Sequence, residues 1–142
     1  MRMIFVNMPV KDAKASRAFF TALGFTPNEQ FSSDDTTSMV IEENIVLMLL
    51  EKKRFKDFIV GEIADPSKGV EVLTCLSCAS REEVKAMTEK ALAAGGKPWK
   101  DPMDHGFMYG WSFRDLDGHV WELNWMDPAA VVQHGVGATE EA

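Results

Sequence analysis

One carboxylate of the segment at positions 109–125, Glu122, is flanked by aromatic and aliphatic residues. Placing a carboxylate among apolar side chains costs free energy unless another group binds it or donates a hydrogen bond to it. Such a carboxylate could act as a general base on an acidic C–H or O–H group. It could equally anchor a cationic ligand beside Trp111, because a carboxylate and an aromatic ring both favour positive charge.

Two strands joined by a tight turn at Asp117-Gly118 are predicted for this segment, since glycine supplies the positive φ that such turns need. With a four-residue loop at positions 115–118, Trp111 would pair with Glu122 across the two strands. Side chains alternate between the faces of a strand pair. The face that carries Glu122 would then also carry these residues: Phe107, Tyr109, Trp111, Phe113 and Asn124.

We interpret this face as one wall of a small-molecule pocket, because such pockets combine aromatic side chains with a few polar groups. The alternative is a dry structural core. In that core Tyr109, Asn124 or a backbone amide would form the hydrogen bond that Glu122 requires.

The composition bounds the class of protein. With 142 residues, 46% hydrophobic and 26% charged, the chain is predicted to fold as one globular domain. A net charge of −7 argues against non-specific nucleic-acid binding and against binding to anionic membranes. The apolar run before Pro9 is too short for a signal-peptide core or a membrane span, so we expect a cytoplasmic protein.

Two cysteines, Cys75 and Cys78, form a C-x-x-C string within a segment that has the composition of a strand. Residues three apart on a strand face opposite sides, so the two thiols should neither pair nor share a metal ion there. We expect buried structural thiols.

Two helices have clear boundary signals. Asp12 can cap a helix that ends at Gly24, and Ser80 with Glu83 fits the capping box of a second helix that ends at Gly95. Each helix follows a short apolar strand, at positions 3–8 and 70–76. Each is followed by further strand-like runs that end in a pair, at 38–42 with 45–50 and at 108–114 with 119–126.

The same order of elements therefore occurs twice, which predicts an α+β fold made of two β-α-β-β-β modules packed together. One domain is expected at positions 1–128, with pseudo-repeats at about 1–51 and 70–128 and a connecting segment at 52–69. Positions 129–142 are small and polar and are expected to form a loosely ordered tail.

These features resemble the vicinal-oxygen-chelate superfamily of glyoxalases, extradiol dioxygenases and bleomycin-resistance proteins. The resemblance lies in the opening string at positions 5–12, in Phe19-Phe20, in Leu23-Gly24-Phe25 and in the closing string at 115–122. It covers positions 1–128. It implies a curved mixed sheet that forms a cup, with helices on the outside, and a homodimer whose chains complete each other's cups.

The resemblance also implies four positions for metal ligands in the cup. They correspond here to Phe5, Met48, Leu73 and Glu122. A shift of two residues, which keeps the strand face, offers instead Asn7, Val46 or Leu50, and Glu71 or Cys75. Neither set contains the two histidines and the carboxylate that a divalent ion needs. We therefore predict no metal cofactor.

The resulting hypothesis is a metal-independent member of the superfamily that sequesters a small organic molecule, as bleomycin-resistance proteins do. A glyoxalase-like lyase or isomerase that uses Glu122 as general base, with or without a divalent metal, is the alternative. Whether the chain is an enzyme stays open, and a pure association module is a third possibility. The predicted ligand-binding residues are Phe5, Asn7, Met48, Leu73, Phe107, Tyr109, Trp111, Phe113, Glu122 and Asn124.

Overall fold

The structure is a computed structural model in which residues 1–133 are described. Its first half contains one α-helix and four strands: β1 (Ile4–Val10), α1 (Ala13–Ala22), β2 (Thr26–Pro27), β3 (Thr36–Glu42) and β4 (Ile45–Glu51). A 3-10 turn (Glu29–Phe31) lies between β2 and β3. A short helix α2 (Lys52–Phe55) and a 3-10 turn (Lys56–Phe58) begin the connection to the second half.

The second half repeats the order and adds two elements. It contains β5 (Thr74–Ser77), α3 (Arg81–Ala93), β6 (Lys97–Pro98), β7 (Met103–Asp104), β8 (Met108–Arg114), β9 (Val120–Met126) and α4 (Pro128–Gln133). The two additions are the strand β7, which lies within the second module, and the helix α4, which follows the last strand of that module. The rest of the predicted tail, residues 134–142, lies outside the described residues.

Each half forms one mixed sheet, and the two sheets have the same topology. The strand order is β1-β4-β3-β2 in the first sheet and β5-β9-β8-β6 in the second, with β7 also paired to β8. The first and last strands of each module are parallel, and the remaining pairs are antiparallel. The predicted α+β fold of two β-α-β-β-β modules is confirmed.

Both helices begin as their capping residues predicted. The Asp12 carboxylate accepts hydrogen bonds from the backbone N–H groups of Lys14 and Ala15 at 3.0 and 3.1 Å. The Ser80 hydroxyl accepts one from the N–H of Glu83 at 3.1 Å. These bonds satisfy N–H groups that have no partner inside the helix, so they fix where each helix starts.

Strand boundaries were predicted less well than helix boundaries. The strand β5 contains four residues and begins at Thr74 rather than at position 70, and β3 begins two residues earlier than expected. Of the two cysteines, Cys75 is exposed and Cys78 is half-buried, so the expectation of buried thiols was wrong for Cys75. Both thiols are free, as expected from their positions three apart on a strand.

The hydrophobic core joins the two modules through their helix-side faces. Ring centroids of Phe20 on α1 and Trp121 on β9 lie 5.3 Å apart, and those of Phe19 and Phe113 lie 6.2 Å apart. All four rings are buried. Contacts of this kind between aromatic rings add to the free energy of apolar burial. The opposite faces of the two sheets are not covered by α1 and α3, and they carry the candidate site.

Among residues 1–133, no helix has the length and apolar character needed to cross a membrane.

Candidate functional site

The hairpin of β8 and β9 has a different register from the one predicted. Arg114 pairs with Val120 and Ser112 pairs with Glu122, whereas Trp111 pairs with Leu123. The loop therefore contains five residues, 115–119, instead of four. A shift of one residue moves every side chain of a strand to the other face, so the predicted pairing of Trp111 with Glu122 was wrong.

The aromatic residues of β8 consequently lie on the helix side of the second sheet. Tyr109 and Phe113 belong to the buried core with relative exposures of 7% and 0%, and Trp111 packs against that core. Phe107 lies just before β8, with 37% of its surface exposed. The wall of aromatic rings predicted around Glu122 is therefore corrected to a wall of small and polar side chains.

Glu122 lies in the middle of β9, between Ser112 of β8 and Cys75 of the parallel strand β5. Its side chain is half-buried. Within residues 1–133 its carboxylate has no hydrogen bond and no ion pair. A small cavity of about 130 Å³ borders it, and Lys100 is among the lining residues. The carboxylate is therefore available to a proton or to a ligand.

Cys75 is the residue that pairs with Glu122 on the parallel strand β5. The side-chain amide of Asn124 donates a hydrogen bond to its Sγ at 3.1 Å. Burial and the negative charge of Glu122 raise the pKa of Cys75. The thiol is thus held in its protonated form, which is a poor nucleophile and a poor metal ligand.

The first sheet has an equivalent position with different chemistry. Asn7 pairs with Met48 as Cys75 pairs with Glu122, and both Asn7 and Cys75 lie five residues before the capping residue of their helix. The neighbours of Asn7 along β1, Val6 and Met8, pack into the core, so Asn7 and Met48 lie on the face opposite to α1. We call the sheet surface that carries Asn7, Met48, Cys75 and Glu122 the cup face.

A cavity of about 420 Å³ lies where the two modules meet. It is bordered by positions 6–9 of β1, by the connecting segment between Phe55 and Val72, and by Thr74 and positions 118–120 of the second module. Asn7 lines this cavity and also a second one of about 300 Å³ over the first sheet, where Met48 is a neighbour. We call the larger space the inter-module cavity.

The closing hairpin holds the two modules together at one end of this cavity. Asp117 Oδ1 accepts a hydrogen bond from the backbone N–H of Lys11 at 2.7 Å. His119 Nε2 donates one to the carbonyl oxygen of Pro9 at 2.8 Å, since a carbonyl can only accept. These contacts join residues more than one hundred positions apart, so the turn of the closing hairpin has a structural role.

The turn itself is organised by Asp115, which is 4% exposed. Its carboxylate accepts hydrogen bonds from the backbone N–H groups of Asp117 and His119 at 3.0 and 2.9 Å and from the indole of Trp121 at 3.0 Å. Burial raises the pKa of Asp115, and the interaction with the neighbouring His119 and the three N–H donors oppose that rise. The five-residue loop closes around this carboxylate.

The structure brings together only part of the predicted site. On the cup face lie Phe5, Asn7, Met48, Glu122 and Asn124, and Leu73 is exposed immediately before β5. Tyr109, Trp111 and Phe113 belong to the other side of the second sheet. The sequence reasoning did not name Ser112 or Cys75 as neighbours of Glu122, nor the connecting segment as a cavity wall. A five-residue loop would have identified Ser112, whereas nothing local signals the connecting segment.

The donor set on the cup face does not fit the metal ion that the family implies. The four central side chains are an amide, a thioether, a protonated thiol and one carboxylate, at Asn7, Met48, Cys75 and Glu122. A divalent ion needs three or four nitrogen, oxygen or thiolate ligands that converge on it. Within the described part of the chain, no group of three or more His, Cys, Asp or Glu residues is placed to hold one.

Comparison with known proteins agrees with this architecture. The profile of the Glyoxalase/Bleomycin resistance protein/Dioxygenase superfamily matches residues 2–123. The chain therefore belongs to that superfamily, and the predicted family is confirmed. No curated protein matches the chain.

Three solved structures illustrate the similarity of fold. Hypothetical protein SA1046 from S. aureus has a TM-score of 0.75 and 27% identity, over 88% of this chain and 94% of that one. A glyoxalase-related enzyme from Fulvimarina pelagi has a TM-score of 0.72 and 19% identity, over 88% of each chain. The fosfomycin resistance protein FosX from Listeria monocytogenes has a TM-score of 0.63 and 20% identity, over 88% and 90%. At 19% and 20% identity, the latter two comparisons concern the fold alone.

Proposed function

We propose that this protein binds a small organic molecule in the inter-module cavity and that it does so without a metal ion. The observation that carries the proposal is the size and place of that cavity. Its volume of about 420 Å³ is within the range of about 300–1,000 Å³ that small-molecule sites occupy. It lies between two modules, a common location for such sites.

The lining of the cavity supports binding of a largely apolar molecule. Aliphatic side chains predominate, among them Val6, Met8, Ile59, Ile63 and Val120. A few polar groups interrupt them, which is the pattern that lets a site orient a ligand while apolar contact supplies most of the affinity. A metal has no part in this proposal because the cup-face donors do not fit one.

Thermal unfolding with a panel of small organic molecules tests the proposal. A ligand that binds only the folded chain must raise its melting temperature. We expect several apolar molecules of suitable size to do so equally in the presence and absence of a chelator. If no compound in the panel raises the melting temperature, or if every shift disappears with the chelator, the proposal is wrong.

A cavity-filling variant shows where such ligands bind. Ala64 lies on the connecting segment and lines the cavity, and its side chain is exposed. Ala64→Trp should remove the ligand-induced shift because the indole would occupy the space. The matched control is Ala93→Trp, at an exposed position at the end of α3, which should retain the shift.

A second candidate function is proton abstraction by Glu122, as in a glyoxalase-like lyase or isomerase. The observation that favours it is the half-buried carboxylate without a hydrogen-bond partner in residues 1–133. In this reaction a Glu122 oxygen would take a proton from a carbon acid bound in the cavity of about 130 Å³ that borders Glu122, and would return one to it. In D₂O this predicts exchange of that C–H for C–D, followed by NMR. Exchange should be lost in Glu122→Gln, and exchange that persists in that variant would exclude Glu122 as the base.

A homodimer is part of the proposal as well. Several apolar side chains on and around the cup face are exposed in a single chain, among them Ile4, Phe5, Phe58, Val72 and Leu73. Large apolar side chains exposed in number on one region of a surface often mark an association site. Sedimentation equilibrium should give about twice the chain mass of 15.9 kDa, and Phe5→Glu should shift it towards one chain. A wild-type mass equal to one chain would contradict the dimer.

A further inference from the structure

In the described part of the chain, the inter-module cavity is lined by two carboxylates and by no Lys or Arg side chain. The two carboxylates are those of Glu62 and Glu71. Glu62 forms an exposed ion pair with Lys56 at 3.2 Å. Glu71 has no ion pair within residues 1–133. The cavity therefore has one carboxylate that is not matched by a protein cation.

Two other polar lining groups, Asn7 and His119, each donate a hydrogen bond within the protein and keep an acceptor atom. The side-chain nitrogen of Asn7 donates to the carbonyl oxygen of Phe5 at 3.3 Å, which leaves its Oδ1 as an acceptor. His119 Nε2 donates to the Pro9 carbonyl oxygen, so in the neutral ring Nδ1 remains an acceptor. With Glu71, these groups offer acceptors to a ligand.

A ligand that matches this lining has to supply donors and positive charge at one point and apolar surface elsewhere. We propose that the inter-module cavity selects hydrophobic organic cations, with a protonated amine placed at Glu71 and an apolar body against the aliphatic wall. This inference rests on the proposed function, because it names the class of molecule that the same cavity takes. The net charge of −7 adds a long-range attraction for cations.

Three probes with the same hydrocarbon chain and different head groups test the selection: n-octylammonium, n-octanol and n-octanoate. Their binding to the full chain is measured by calorimetry at low ionic strength. We expect n-octylammonium to bind about fivefold more tightly than n-octanol, which is the value of an exposed ion pair, and n-octanoate to bind most weakly. The preference for the cation should decrease as salt is added, since Glu71 is exposed.

Matched variants connect the preference to one residue. In Glu71→Gln the protein should bind n-octylammonium and n-octanol with about equal affinity, and its affinity for n-octanol should not change. Glu89→Gln, an equal charge change at an exposed position of α3, should leave the preference unaltered. Both side chains are exposed, so both variants should fold, which their melting temperatures report.

The outcomes separate this inference from the proposed function. If n-octanol binds as tightly as n-octylammonium, or n-octanoate binds more tightly, cation selection is overturned and small-molecule binding stands. If Glu89→Gln reduces the preference as much as Glu71→Gln does, the effect belongs to net charge and Glu71 is not the anchor. If none of the three probes binds while other compounds raise the melting temperature, selection is again overturned alone. If nothing binds, both proposals fail.

Discussion

The two modules have the same topology but differ in the turn between their last two strands. In the first module Glu43 and Asn44 form a tight, largely local turn, and the Asn44 carbonyl oxygen accepts a hydrogen bond from Ile4 of the same module. In the second module five residues form a loop around the buried carboxylate of Asp115, and Asp117 reaches across to the first module. Only the second turn fastens the modules together.

A similar difference separates the cup-face positions in the strands that follow these turns. Met48 in β4 and Glu122 in β9 occupy equivalent positions of the two modules. Asn7 in β1 and Cys75 in β5 are likewise equivalent. The first half offers neutral groups there, while the second offers a carboxylate and a thiol. One topology thus supports a neutral cup face in one module and an acidic one in the other, so chemistry in this fold depends on single substitutions.

The largest effect is expected at the turns. Asp115→Ala should lower the free energy of unfolding by about 3 kcal/mol, because one buried and two half-buried N–H donors would lose their acceptor. Glu43→Ala in the other turn should change it by less than about 0.5 kcal/mol, since its side chain is exposed. Urea unfolding followed by circular dichroism measures both. Equal losses in the two variants would contradict the difference between the turns.

The next effect concerns the cup face. Glu122→Met gives the second module the residue of the first and should raise the free energy of unfolding by about 1 kcal/mol, because a half-buried carboxylate without a partner is removed. The reverse change, Met48→Glu, should lower it by about 1–2 kcal/mol. Both are measured at neutral pH. A loss of stability in Glu122→Met would mean that the carboxylate is structural.

How far the sequence predicts this molecule depends on the range of the interactions. Helix starts follow from contacts within four residues, so Asp12 and Ser80 predicted α1 and α3 correctly. The repeated order of elements, which is read from such local signals, predicted the fold of two similar modules. The hairpin register depends on loop length, and Gly118 with a φ of +91° suits a four-residue or a five-residue loop. The bonds that select the longer loop come from Asp115, whose burial requires the fold around it.

The faces on which the candidate site residues lie were predicted in part, because some of them depend on local alternation and others on the hairpin register. Asn7, Met48, Glu122 and Asn124 share a face because strands alternate with a period of two, and that alternation is visible in the sequence. The aromatic residues of β8 were misplaced because one residue of register reverses the face. The inter-module cavity was not predicted at all, since its walls come from β1, the connecting segment and β9, which are remote in sequence.

The helix caps allow a comparison of the two modules with a smaller effect. Asp12→Ala and Ser80→Ala should each lower the free energy of unfolding by about 1 kcal/mol. Asp12 should cost more, because it accepts two backbone hydrogen bonds and Ser80 accepts one. Ser80 also has support from Glu83, whose carboxylate accepts a hydrogen bond from the N–H of Ala79 at 2.8 Å. Unfolding in urea measures the order, and a larger loss for Ser80→Ala would contradict it.

The smallest effect concerns β7, which has no counterpart in the first module. Arg81 donates a hydrogen bond to the Asp104 carboxylate at 2.6 Å and lies over the ring of Trp125 at 5.1 Å, so it fastens β7 to α3. This pairing lowers the pKa of Asp104 from 3.8 to about 2. Since the folded pKa is below the unfolded one, the pairing stabilises the fold above about pH 4, and its contribution is lost as the pH falls through 2.

NMR titration of the Asp104 carboxyl carbon measures this shift directly. We expect a midpoint near pH 2 in the native chain and a midpoint closer to 3.8 in Arg81→Gln. Asp65 provides the internal control, because hydrogen bonds from Ser67 lower its pKa and Arg81 does not contribute. Its midpoint should be the same in both proteins. A midpoint of Asp104 that does not move in Arg81→Gln would show that β7 is held by its pairing with β8 alone, and the added strand would then be fastened no differently from the strands the two modules share.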